Sequence, residues 1–281
     1  MELFNYASVF TAFIRPEQGA NVGIIRTSGG SILIDTASSP GEIRALFDMI
    51  DEPMAIVHLV INTHFHTDHT WGNQHFSCPI LAHRLCLEKM QANLQGEWSQ
   101  VALHQYLADL EKTDPPKAEE FRPTLQELKI KLPDQVYECE YEGELGGVRY
   151  RVIHLGGHSP DSSIVWLPAV RLLYASDLIF QGRYPYIFDS DIPAWSEALK
   201  RLLEFQADVI IPGHGSRVTG ADITHLCDYL EQTWQLTEQH IRMGHSVEET
   251  CADPRYPVFA AGKKEKLHLA NIRYMYMKLS E

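Results

Sequence analysis

Apolar residues in this chain follow two periods. Short, mainly apolar runs at 55–61, 150–153, 172–175 and 209–211, broken only by His58 and Arg151, have the pattern of buried strands. Other segments space their apolar positions by three and four. Ile43, Leu46, Phe47 and Ile50 do so after Pro40-Gly41, a helix opening with proline in its first turn. Leu87, Met90, Leu94, Trp98, Val101 and Tyr106 do so across 84–110, and Leu226, Tyr229, Leu230, Trp234 and Ile241 across 221–243. Further strands are expected at 7–15, 21–35, 79–82, near 125–131, 135–142, 147–155, 163–167 and 171–176, with a helix at 193–205 and helical pattern onward to Leu279. Gly29-Gly30 and Gly146-Gly147 mark hairpin turns, and Pro115-Pro116 and Pro123 are expected to break the helical region before them. Strands in both halves, each interleaved with helices, predict a layered α/β sandwich. One domain over 1–281 is expected, with 84–122 a helical insert or cap and 221–281 a helical C-terminal segment.

The candidate chemistry lies where strands end. The run 55–61 feeds His64, His66, Asp68 and His69; 150–153 feeds Gly156-Gly157-His158; 172–175 feeds Ser176-Asp177; and 209–211 feeds Pro212-Gly213-His214-Gly215. Side chains at the C-terminal ends of strands converge on one crevice in open α/β folds. A Gly-His-Gly or a Ser-Asp alone is an ordinary turn. Three imidazoles and a carboxylate within six residues are a different matter, because buried polar groups must find partners and this is the donor set divalent transition metals prefer. An extended segment puts His64 and His66, two apart, on one side.

Composition then narrows the partners. The chain has 281 residues, 44% hydrophobic, with a formal net charge of −13. That charge argues against nucleic-acid binding, which needs a basic face. The N-terminal residues lack the basic flank and apolar core of a signal peptide, and no apolar run is long enough to span a bilayer. Five scattered cysteines without a CxxC pair fit reduced thiols, so no membrane and a cytoplasmic setting are expected.

The series His64-x-His66-x-Asp68-His69, Gly-His158, Ser-Asp177 and Gly-His214 resembles the ordered motifs of the metallo-β-lactamase superfamily, over 34–214. The resemblance implies an αββα sandwich with a dinuclear metal site at one edge. By motif position, His64, His66 and His158 hold one ion, Asp68, His69 and His214 hold the other, Asp177 bridges them, and Asp35 braces the His-rich loop. Two ions about 3.5–4 Å apart can share a water and lower its pKa towards roughly 7, giving a hydroxide nucleophile. Asp68 is then both a ligand and the catalytic acceptor of its proton. Zinc suits the donors best, and manganese, iron and cobalt also fit.

Differences from subfamilies refine the expectation. The oxygen-reducing diiron relatives usually carry a carboxylate where His66 stands, and the zinc β-lactamases typically lack a bridging carboxylate such as Asp177. The glyoxalase II and persulfide dioxygenase relatives show a second His where this chain has Ser162, and the lactonases a Tyr at Phe180. Lys263, Lys264 and Lys266 read as a solvated turn rather than a glutathione site. The expectation is a hydrolase of a small-molecule ester, lactone, thioester or amide. An iron-dependent oxidoreductase on the same scaffold, and a glyoxalase II-like thioesterase or β-lactamase, are the alternatives. For substrate contacts, Arg183 and Tyr184 on a Gly/Pro-marked loop, Trp71 after the His-rich loop, and Met90, Leu94, Trp98 and Tyr106 in the insert are the candidates. The apolar face of 221–281 is read first as a layer over the sheet and second as a homodimer interface.

Overall fold

The fold, a computed structural model, describes residues 1–15, 19–260 and 265–280; Lys263 and Lys264 lie outside them. Seven strands form the first sheet in sequence order: β1 (Glu2–Tyr6), β2 (Phe10–Ile14), β3 (Val22–Thr27), β4 (Gly30–Ile34), β5 (Val57–Ile61), β6 (Ile80–His83) and β7 (Gln135–Tyr137). Five form the second, in the order β12 (Val209–His214), β11 (Leu172–Phe180), β10 (Ser163–Leu167), β9 (Val148–His154) and β8 (Glu140–Leu145). The strands carrying the His-rich loop are parallel, β4 to β5 and β5 to β6, as is β11 to β12.

The apolar runs follow from burial, on both faces for β2, β10 and β11 and on most positions of β4, β5 and β12. Ile32, Ile34 and Ile61 point between the sheets, towards Val152, Val165, Tyr174 and Ile211. Their neighbours Leu33 and Val60 point outward to α1 (Pro40–Ile50), where Ile43, Leu46 and Phe47 are buried. Each such side chain contributes roughly 1.5–3 kcal/mol. α1 starts where Ser39 Oγ accepts the Glu42 N–H at 3.1 Å, with Pro40 in the first turn. On the other side, α6 (Ile192–Glu204), α7 (Gly220–Arg242) and α9 (Glu265–Ser280) cover the second sheet through Trp195, Leu199, Leu226, Leu230 and Met275. The short α8 (Val247–Cys251) precedes α9. The layers are therefore helix, sheet, sheet, helix, the αββα sandwich expected.

The insert differs in detail from its expectation. The helical pattern breaks at Gly96 into α3 (Arg84–Gln95) and α4 (Gln100–Thr113), the second capped by Ser99. Pro115-Pro116 do not end helical structure; they open α5 (Pro115–Glu127), with Asp114 as its cap and Pro123 inside it. Residues 125–127 close α5, so no strand forms there. β1 went unanticipated because its residues are largely exposed at a sheet edge and carry little apolar signal. Among the described residues no helix is long and apolar enough to cross a membrane.

Candidate metal centre

The candidate ligands come together at one edge of the sandwich. β5 delivers His64, and a one-turn helix, α2 (Thr67–Thr70), turns Asp68 and His69 away from His66. Asp177 lies within β11, where the register against β12 shifts on either side of Ser176 and Ser176 itself has φ 49°. This bulge re-aims the carboxylate into the site. A Cβ at Gly213 would sit 1.8 Å from Asp177 Oδ1, so only glycine permits that approach. His214 ends β12, and His158 follows β9 behind Gly157, whose φ is 97° and whose missing side chain makes room for the Trp195 backbone.

Two groups result, each with its ligand atoms within 4.8 Å of one another: His64, His66, His158 and Asp177, and Asp68, His69 and His214. In the first, His66 Nδ1 lies 3.0 Å from His64 Nε2 and 3.2 Å from His158 Nε2. Asp177 faces both groups. Its Oδ2 is 3.5 Å from His158 Nε2 and 3.2 Å from His214 Nε2, and its Oδ1 is 3.1 Å from His69 Nε2. Asp68 Oδ2 completes the second group at 3.2 Å from His214 Nε2. Of the seven, Asp68 and His66 are the more exposed.

Hydrogen bonds on the far side of four of the five rings, all but His158, fix which nitrogen faces the group. His69 Nδ1 donates to Asp35 Oδ2 at 2.8 Å, and His214 Nδ1 to the Gly19 carbonyl at 2.8 Å. His66 Nε2 donates to Asp189 Oδ2 at 3.0 Å, and His64 Nδ1 to Thr63 Oγ1 at 3.2 Å. In all four the remaining nitrogen turns inward, where it can ligate once it carries no proton, as metal-ligating imidazoles do. Asp35 also accepts the Thr63 N–H at 2.8 Å and the Thr63 hydroxyl, which ties the His-rich loop to β4. The rings are held by aromatic neighbours, Phe180 stacked on His214 at 5.1 Å and Trp195 edge-on to His158 at 5.1 Å.

The donor set fits a metal pair on the structure's own evidence. His69 Nε2 and Asp177 Oδ1 are buried without a hydrogen-bond partner although they face each other. A buried polar atom left so is costly unless something binds it. Electrostatics splits the groups. Burial and the neighbouring imidazoles hold His64 well below its ordinary pKa; burial, outweighing nearby Asp177, puts His158 down to about 3. Burial also opposes charge on His69 and His214, yet Asp177 with Asp35 and Asp68 raises the first well above normal, and Asp177 with Asp68 raises the second to about 9. Burial raises Asp35, whereas for Asp177 and Asp68 the imidazoles outweigh burial and lower both.

A cavity of about 400 Å³ opens over the site. Trp98, Arg183 and Tyr184 line it, together with Tyr186, Asp189, Asn93 and Leu267. Trp71 does not; it packs edge-to-face on Trp98 within the buried cluster of the insert. Tyr184 is 3% exposed and stacks on His268, so its ring belongs to the helical layer, while Tyr186, at 44%, stands edge-on to His66. Met90 is buried behind the wall and Tyr106 faces solvent; neither these nor Leu94 lines the cavity. His83 and His154 stack on each other at 3.8 Å away from the centre. Asp189 and Asn21 were not anticipated. Asn21 Nδ2 donates to the Pro212 and Gly215 carbonyls at 2.8 and 3.0 Å, stapling the His214 loop to the first sheet. Nothing local in the sequence marks either residue, since each acts across more than a hundred positions.

A four-layer αββα sandwich with paired His/Asp clusters at its edge, consistent with a dinuclear metal site, defines the class. The Metallo-beta-lactamase superfamily model matches residues 15–214, and the chain belongs to that superfamily. It is 24% identical over 229 residues to the linear primary-alkylsulfatase of Pseudomonas sp., covering 71% of this chain and 42% of the relative. It is 27% identical over 210 residues to acyl-coenzyme A thioesterase MBLAC2 of Gallus gallus, covering 69% and 72%. In fold it is similar to the sec-alkylsulfatase Pisa1 from Pseudomonas sp., with a TM-score of 0.76 at 17% identity over 98% of this chain and 50% of that one. The chain thus spans about half the length of these alkylsulfatases.

Proposed function

We propose that the chain is a dinuclear metal-dependent hydrolase, zinc being the best-suited ion, acting on a small-molecule ester, lactone, thioester or amide. The observation that carries this reading is the inward-facing ring nitrogen of each of four imidazoles, the other nitrogen held by a hydrogen bond, around a carboxylate that faces both groups. His64, His66 and His158 would hold one ion, Asp68, His69 and His214 the other, with Asp177 between. When bound, such a pair supplies an activated water and an electrophile for the substrate oxygen. Asp177 holds the halves in register. Asp68, about 29% exposed and facing the cavity, takes the proton of the attacking water at a carboxylate oxygen. Phe65, Trp98, Phe180 and Leu267 exclude bulk water from the acyl side. The thioesterase and alkylsulfatase similarities support hydrolysis without choosing a substrate. The test is turnover of an ester, lactone, thioester and amide panel by metal-loaded protein, with oxygen uptake followed in parallel. Hydrolysis without oxygen consumption is expected. Iron content with oxygen uptake, or no turnover across the panel, overturns the reading.

A further inference from the structure

Arg183 has no hydrogen-bonded counter-ion in the described fold; Asp177 and Asp68 favour its charge only from a distance. Its Nη2 is buried without a hydrogen-bond partner. Its Nη1 lies 3.5 Å from His214 Nδ1, but that nitrogen already gives its hydrogen to the Gly19 carbonyl, so two donors meet and no bond forms. Guanidinium cannot shed its proton to escape burial. Arg183 is also the one guanidinium or ammonium group among the described residues of the cavity wall. No carboxylate on that wall hydrogen-bonds the guanidinium: Asp68 and Asp177 stand in the ligand groups and act on it only at a distance, Asp189 is held by His66, and Glu97 is exposed just past the end of the insert helix.

We propose that Arg183 anchors an oxyanion of the substrate next to the scissile bond, so that the substrate class is an anionic one, bearing a carboxylate or a sulfate within a few bonds of the bond cleaved. The inference rests on the hydrolase reading and deepens it. Closeness to the reacting centre follows from the geometry, since only the width of the His214 imidazole separates the guanidinium from a ligand nitrogen. The planar fork of arginine matches carboxylate and sulfate equally, with paired N–H···O bonds of about 2.7–2.9 Å. The remainder of the substrate then lies along Trp98 and Leu267.

Metal-loaded wild type, Arg183→Met and Arg183→Lys are compared on p-nitrophenyl acetate, mono-p-nitrophenyl succinate and p-nitrophenyl sulfate, with metal content and thermal unfolding measured on each protein. One anionic substrate should exceed the neutral acetate in kcat/KM by about 10- to 100-fold in the wild type. The ratio should collapse towards one in Arg183→Met, chiefly through KM, and recover in part in Arg183→Lys, which keeps the charge but not the fork. Preference for succinate identifies a carboxylate and preference for sulfate a sulfate ester. A wild-type preference for acetate, an anionic preference that survives Arg183→Met, or loss of bound metal in that variant overturns the anchor. If no ester is turned over, the hydrolase reading fails separately. Calorimetric binding of succinate and inorganic sulfate then decides, about tenfold weaker binding to both variants supporting the anchor and equal binding ending it.

Discussion

The two halves of the site are built from the same imidazoles and behave as opposites. His64 and His158 are fully buried with only Asp177 near enough to favour charge, and both sit well below the ordinary histidine range. His69 and His214 are as deeply buried, yet Asp35, Asp68 and Asp177 raise them. Burial is common to all four, so carboxylate count decides which imidazoles arrive neutral and which arrive protonated. The first half is pre-set for a cation. The second must give up protons to accept one.

The strongest way to break this comparison is to remove the carboxylate both halves share. Asp177→Ala strips the charge facing both groups, a loss of about 3–5 kcal/mol for a buried ionic partner. At least one ion per chain and about 10²–10³ of turnover should go; two ions with full turnover would refute the bridge. Asp35→Asn strikes the second half most directly, through His69, and reaches the first only by way of Thr63 and His64. Losing the acceptor that orients His69 should weaken metal there by about 10–100-fold, visible as one weakened step in a metal titration.

Proton release sharpens the contrast. At pH 7 the second half holds protons on His69 and His214, so its affinity for metal should rise with pH until His214 is neutral above about 9. His64 and His158 are already neutral there and release none. In the metal-free protein the same raised values contribute stability below about pH 6.5, lost as pH climbs through 9. Calorimetric metal titrations in buffers of different ionisation enthalpy would read the released protons; equal release from both steps contradicts the assignment.

Much of this was legible in the sequence because the relevant signals are local. Buried strands give largely apolar runs, and every ligand except Asp177, which the bulge in β11 presents from inside the strand, falls at or after a strand end. The misreadings share a cause as well. Pro115-Pro116 look like breakers unless the Asp114 cap before them is weighed, which makes them a helix start. β1 offers five half-exposed residues on an edge and no run to read. Asp189 meets His66 across 123 positions, and Asn21 meets Pro212 across 191; only the folded chain brings them together. Trp71, expected at the pocket from its place after the His-rich loop, turns instead to the buried cluster of the insert, because a ring beside a loop can face the core as easily as the cavity.

Smaller effects test those long-range residues. Asp189→Asn should loosen metal in the first half by about tenfold, leaving the second unchanged. Trp98→Ala should leave metal content intact and alter the dependence of kcat/KM on acyl length by about 1 kcal/mol per methylene; an unchanged dependence removes Trp98 from the acyl wall.

The central claim is that two sets of donors share Asp177 as one cage for a pair of cations. Its most direct test is elemental analysis of the purified protein joined to anomalous scattering from its crystals. Two divalent ions per chain, one among His64, His66 and His158 and one among Asp68, His69 and His214, with Asp177 touching both, is the result expected. A fully loaded protein with one ion, or with ions bound elsewhere, would contradict the account.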